Sequence, residues 1–319
     1  MNDPFFGVAT AIFAGQPLGT GGEESLEHVR IRGACDRARR LQQFAAMGDG
    51  ASGREEDVFG RGRRLVEVLT WPDSKLQGLE GGSAQEQRLA LELREFRQLV
   101  PLVSNQKLRA LISGSDAKWH HVDQGSEAMV FEATRGDVYK LIPIREAVLE
   151  VPPITSADEP IYARPNAHHL ANQFGEPTIL ARVAAMNGSR GFAKTEVVGI
   201  TEKGGILLKQ RDLGRAAVVV LPTMRELRVW AEVNGHEVLS PQADDPHDEI
   251  EGASSLMPVI TRVDREFFIG TDIVPRNARR SSEGVLVFDP VLRRLTQHEI
   301  ELHPEIRDAV HRLLTAKGG

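Results

Sequence analysis

The stretch FIGTDIVPRNARRSSEGVLVFDPVL, residues 268–292, decides how the rest of the chain is read. It begins apolar, turns polar and turn-rich, and ends apolar. It sets Asp272, Asn277 and Asp289 in that order, five and twelve residues apart. Carboxylate and amide oxygens are the hard donors that Mg²⁺ prefers. Phosphoryl transfer needs little else beyond a cation on the phosphates and a carboxylate to orient the attacking hydroxyl. Asp289 closes the apolar run VLVFD (285–289), predicted as a short buried strand. A carboxylate there is costly unless it caps a turn or meets a cation. The order predicts a metal or phosphate site, provided a cation lies upstream.

One candidate cation is Lys140, inside the apolar run VYKLI (138–142). An inward lysine between Val138 and Leu141 calls for an anion. Gly125 precedes it, in a strand–turn–strand context that suits a phosphate-covering loop. Residues 128–144 read as two strands turning at Arg135-Gly136-Asp137. Residues 192–211 read as a second hairpin turning at Lys203-Gly204-Gly205. Helices are predicted over 178–187, after Pro177, and over 223–234, ended by Gly235.

Composition frames this reading. The chain has 319 residues, 41% hydrophobic and 26% charged, as expected of a globular protein. The net charge of −6 argues against wholesale nucleic-acid binding. The single cysteine, Cys35, excludes an internal disulfide framework and points to a reducing, cytoplasmic compartment. The apolar run FFGVATAIFAG (5–15) is too short to span a bilayer and has no basic leader, so no membrane or secretory role is expected.

Before residue 115 the sequence reads as helical packing. Residues 23–46 suit a helix with Leu26, Val29, Leu41 and Phe44 as apolar points, and 84–100 suit a clearer one, with Leu89, Leu93, Phe96 and Val100 on one face. Pro101 ends it, and a short helix is expected after Ser104. Residues 28–64 hold nine arginines against five acids, which suits a solvated helix face or a nucleic-acid-binding arm. The pairs His120–His121 and His168–His169 are poor chelators, and no Cys/His cluster has zinc spacing. The acidic run 244–251 reads as a solvated loop. Neither G-x-x-x-x-G-K-[ST] nor G-x-S-x-G occurs.

The ordered set Gly125, Lys140, Asp272, Asn277 and Asp289 resembles the protein-kinase-like fold. There a glycine loop, a strand lysine, an Asp-x-x-x-x-Asn loop and a later Asp follow in this order. The chain is more specifically similar to a kinase family found in polyvalent proteins of phages and conjugative elements. The motifs carrying that likeness are Gly125-Ser126-Glu127, Val138 to Leu141, Leu180-Arg182-Asn187 in a helix, and the 272–289 loop. The likeness covers about residues 120–292.

The resemblance implies an α+β, bilobal fold: an N-terminal helical extension (1–115), a small β-rich lobe (116–211) and a reduced helical C-terminal lobe (212–319). It implies ATP and Mg²⁺ as cofactors and an unidentified protein or small-molecule hydroxyl as acceptor. Asp272 is then the catalytic carboxylate, and Lys140 holds the α- and β-phosphates. Asn277 and Asp289 hold the metal, and Gly125, Ser126 and Glu127 cover the phosphates. Gln210 to Leu213 form a hinge to adenine through backbone groups. Glu176 is the candidate partner of Lys140, with Glu159 a rival; Glu176 equally suits a first-turn acid favouring the helix dipole.

The chain also departs from the pattern. The glycine loop keeps only Gly125, Ile-Gly-Thr stands before Asp272, Val274 stands where protein kinases carry lysine, and Pro290 follows Asp289. Small-molecule kinases of the aminoglycoside type are closer than regulated protein kinases. A catalytically inactive scaffold that binds a partner protein is the alternative.

Overall fold

The computed structural model describes residues 26–47, 65, 67–113, 129–132, 137–142, 178–211, 221–239, 257–281 and 284–316. Helices α1 (Leu26–Met47), α2 (Asp73–Glu80) and α3 (Ala84–Leu99) come first. Strand β1 (Leu102–Val103) and helix α4 (Asn105–Ser113) follow. The start of α3 is set by a capping box: the Ser83 hydroxyl accepts from the Glu86 amide, and the Glu86 carboxylate accepts from the Ser83 amide at 2.7 Å. One face of α3 then buries Ala90, Leu93 and Phe96.

Strands β2 (Met129–Glu132), β3 (Asp137–Ile142), β4 (Thr195–Thr201) and β5 (Ile206–Arg211) form, with β1, a five-stranded sheet of order β1-β4-β5-β3-β2. Only the β1–β4 pair is parallel. That approach is close: a Cβ on Gly199 would collide with the carbonyl oxygen of Pro101. Glycine is therefore required where β4 bulges between Val197 and Gly199.

Side chains alternate across this sheet. Ile142, Val197, Ile206 and Leu208 face a large core with Ile31, Leu41, Leu93, Phe96 and Leu180. Leu141 and Leu207 face the opposite side, with Val103 and α4's Leu108 and Leu111. The helices before residue 115 thus share a core with strands and helices after it, so the expected boundary at 115 is not a break in packing among the described residues. Helix α5 (Thr178–Gly188) packs on α1, adding Ile179, Leu180, Val183 and Ala184 to this core.

The expectation of a mainly helical C-terminal part is corrected. Helix α6 (Met224–Val233) has its own capping box, Thr223 with Glu226, but strands follow it. They are β6 (Glu237–Val238), β7 (Val259–Val263), β8 (Glu266–Thr271), β9 (Ala278–Ser281), β10 (Gly284–Val287) and β11 (Val291–Arg294). An antiparallel sheet of order β11-β8-β7-β6 is covered on both faces. Val259, Val263, Phe268 and Leu292 meet Ala185 and Met186 of α5 and Leu227 and Trp230 of α6. Ile260 and Ile269 meet Ile306, Ala309, Val310 and Leu313 of α8 (Pro304–Thr315), which follows the short α7 (Gln297–Leu302). Strands buried on both faces lose the polar alternation by which a half-exposed strand is recognised.

The protein is therefore α+β with mixed sheets. Helix α5 contributes to the cores of both, and the loop 272–277 with the β9–β10 hairpin lies beside it. Among the described residues no helix is long and apolar enough to cross a membrane.

Candidate functional site

Lys140 lies two residues before Ile142 on β3, so the strand period points it to the face that α5 covers. It pairs in register with Leu208, which lies in the same core. The lysine is 8% exposed. Its Nζ lies 3.3 Å from Oδ1 of Asp289, a residue 149 positions away in the chain. Burial pulls the Lys140 ammonium below its ordinary value; the Asp289 carboxylate acts against this, and the nearby Arg182 adds to it.

Asp289 receives a second cation. Arg182 of α5 donates from Nη2 to the same oxygen, Oδ1, at 2.7 Å. Both cations are nearly buried, with side chains 10% and 11% exposed, whereas the carboxylate is 48% exposed. Burial pushes the Asp289 carboxyl up, but Lys140 and Arg182 outweigh it and hold the group below the usual carboxylate range. Asp289 is thus ionised, with one oxygen clasped by two cations.

Asp289 is placed by the two residues before it. Phe288 donates its amide to the Asn277 carbonyl at 2.9 Å. Val287 pairs with Phe192 through an isolated parallel bridge, donating to the Gly191 carbonyl and accepting from the Ala193 amide. The Phe288 carbonyl accepts from Gln210 Nε2 at 3.0 Å, and the same nitrogen donates to Thr195 Oγ1 at 2.6 Å. Thr195 in turn exchanges two backbone bonds with the Asn187 side chain, of 2.6 and 2.9 Å. A buried relay, Asn187–Thr195–Gln210–Phe288, therefore ties the end of α5 and the sheet to the residue before Asp289. The Lys140 Nζ also stands 5.3 Å from the centre of the Phe288 ring.

This placement gives Gln210 a different task from the adenine hinge. It pairs with Val138 on one side and Thr195 on the other, so its backbone groups belong to the sheet ladders. Its side chain, not its backbone, reaches the site.

Asp272 leaves β8 with φ 58°, in the left-handed region that Asp tolerates better than most residues. Asn277, ending a 3₁₀ turn at Pro275–Asn277, donates from Nδ2 to Asp272 Oδ2 at 2.8 Å and to the carbonyls of Asp272 and Asp289 at 3.0 and 3.3 Å. Asn277 therefore joins Asp272 to Asp289. Arg276 holds the other oxygen of Asp272 at 2.9 Å and is itself 68% exposed.

The structure brings together five of the residues singled out in the sequence: Lys140, Gln210, Asp272, Asn277 and Asp289. Gly125, Ser126, Glu127, Glu176 and Glu159 lie outside the described residues. Arg182 was present in the sequence motif without a role. Its signal was there, as the only charge in the apolar helix TILARVAAMNG.

Among the described residues two acceptor atoms remain for a hard cation: Asp289 Oδ2, since both basic side chains take Oδ1, and Asn277 Oδ1, since its nitrogen faces Asp272. Among the described residues no group of three His, Cys, Asp or Glu could hold a metal by itself. The donor set suits an ion that brings its own oxygens, as Mg²⁺ does on a nucleotide. No protein family, curated protein or solved structure matches the chain.

Proposed function

We propose that the protein is an ATP- and Mg²⁺-dependent phosphotransferase of the kinase-like kind, acting on a hydroxyl of a protein or small molecule. The observation that carries this reading is the meeting of Lys140 and Asp289 at 3.3 Å across 149 residues. The sequence resemblance assigned both residues to one nucleotide site, Lys140 to the phosphates and Asp289 to the metal, although it gave Lys140 a glutamate partner, Glu176 or Glu159. Asn277 then links the pair to Asp272.

In this reading Lys140 binds the α- and β-phosphates, and its lowered proton affinity reflects a cation kept out of water for an anion. Asp289 and Asn277 would hold Mg²⁺, which would supply neutralisation of charge on the phosphoryl group. Asp272 accepts a hydrogen bond from the acceptor hydroxyl and orients it. For this its carboxylate exchanges Arg276, which is exposed, for the substrate.

The test is calorimetric titration of Mg-ATP into the wild type, Lys140→Ala and Asp289→Ala. Binding is expected in the wild type, with each variant weakened at least about tenfold, the scale of one charge-assisted hydrogen bond. Wild type that takes no Mg-ATP, or variants that bind equally well, sink the reading.

The engagement of both Asp272 oxygens, by Arg276 and Asn277, favours a second reading: a scaffold of the same ancestry that binds a partner protein without turnover. It is distinguished by Mg-ATP binding without phosphoryl transfer to any hydroxyl, the enzyme's own included.

A further inference from the structure

Arg182 brings a buried charge into a helix that holds no other. Helix α5 is buried on both sides, with Leu180 and Val183 in one core and Ala185 and Met186 in the other. A buried ion pair contributes little net stability, and apolar replacements are often neutral or better. Arg182 moreover meets a carboxylate oxygen that Lys140 already holds. Two cations drawn to one oxygen repel each other, and Arg182 lowers the proton affinity of Lys140. The arrangement makes chemical sense if the carboxylate is only the resting partner of the pair.

We infer that Arg182 is a second phosphate-binding cation of the nucleotide site, which leaves Asp289 for the polyphosphate when the nucleotide binds. The inference rests on the phosphotransferase reading and deepens it. A guanidinium presents a planar fork of donors that matches two phosphate oxygens, whereas the Lys140 ammonium acts as a point charge. Arg182 sits on the helix shared by both cores, so its backbone is held firmly beside Lys140 and Asp289. The ligand class this selects is a polyphosphate rather than a nucleoside: the site discriminates by charge at Lys140 and Arg182.

The experiment compares Mg-ATP and adenosine on the wild type, Arg182→Gln and Arg182→Lys, with thermal unfolding alongside. Arg182→Gln is expected to weaken Mg-ATP roughly 10- to 100-fold, as for removal of a charged hydrogen bond, and to leave adenosine within about twofold. Arg182→Lys keeps the charge without the fork and is expected to fall between, at least several-fold weaker than wild type. Equal loss of Mg-ATP and adenosine would make Arg182 a structural residue and overturn the inference. So would unchanged Mg-ATP binding in Arg182→Gln or, if that variant does not fold, in Arg182→Lys. A wild type that binds no Mg-ATP removes the phosphotransferase reading itself, an outcome distinct from wild-type binding that Arg182→Gln retains.

Discussion

Asp264 and Asp272 stand at opposite ends of β8 and share an unusual backbone conformation, with φ 55° and 58°. They are the only non-glycine residues of positive φ among the described residues. Their side chains differ in where their partners come from. Asp264 reaches α1, where Arg32 donates to it and His28 Nε2 lies 3.3 Å away. The other nitrogen of His28 lies 2.7 Å from the Ala184 carbonyl of α5. Asp264 therefore clasps the C-terminal sheet to α1, and His28 carries the link on to α5. Asp272 is held, among the described residues, by Arg276 and Asn277, four and five positions further on. Positive φ alone does not mark function. At Asp264 its cost is offset by long-range docking. At Asp272 the described partners all belong to its own loop, and the inference to a functional role belongs there.

The largest effect that can break this contrast is on turnover. Asp272→Asn is expected to lower phosphoryl transfer by roughly 10²–10⁴, the usual range for a positioned acid–base group. Mg-ATP affinity should stay within a few-fold and the unfolding midpoint should hold. Normal transfer by this variant would remove Asp272 from the chemistry.

The opposite pattern is expected at Asp264. Asp264→Ala leaves the buried His28 without its carboxylate and should lower stability by about 1–3 kcal/mol in urea unfolding, with Mg-ATP affinity unchanged. Wild-type stability in this variant, or a loss of nucleotide binding, would mean that the two aspartates are not divided between docking and chemistry as proposed.

Legibility from the sequence divides along similar lines. Features set by local spacing were readable. The apolar spacing over 84–100, and the stretch 223–234 ended by Gly235, placed α3 and α6. The hairpin turn at 203–205 lies between β4 and β5 as expected. The spacing of Asp272, Asn277 and Asp289, with Lys140 upstream, named four residues that the fold gathers. What stayed hidden depends on long-range placement. β7 and β8 are covered on both faces, so VITRV and EFFIGT carry no clean alternation. The Gln210 contact to Phe288 spans 78 residues, and nothing local to Gln210 announces it. The capping boxes are the exception: Ser83–Glu86, Thr223–Glu226 and, at α7, Thr296–Glu299 are local signals that went unread.

The smallest effect sharpens the contrast through a second buried histidine. His28 faces an acceptor with each ring nitrogen, one of them the Asp264 carboxylate. His236 faces only one: Nε2 donates to the Arg190 carbonyl at 3.1 Å, while Nδ1 is buried without a partner. It packs against the rings of Phe192 and Trp230, 5.2 and 4.9 Å away. Burial lowers its value from 6.5 to about 4, and the bond to Arg190 opposes this only weakly. The unfolded chain therefore binds a proton that the folded one refuses, and stability contributed by neutral His236 is complete above about pH 6.5 and lost as pH falls toward 4. Between pH 7 and 5.5 the loss should be about 1 kcal/mol. Urea unfolding of wild type and His236→Phe at the two pH values checks it. The variant has no group to protonate there, so its stability should fall less by that amount. An equal fall in both proteins would place the acid sensitivity elsewhere.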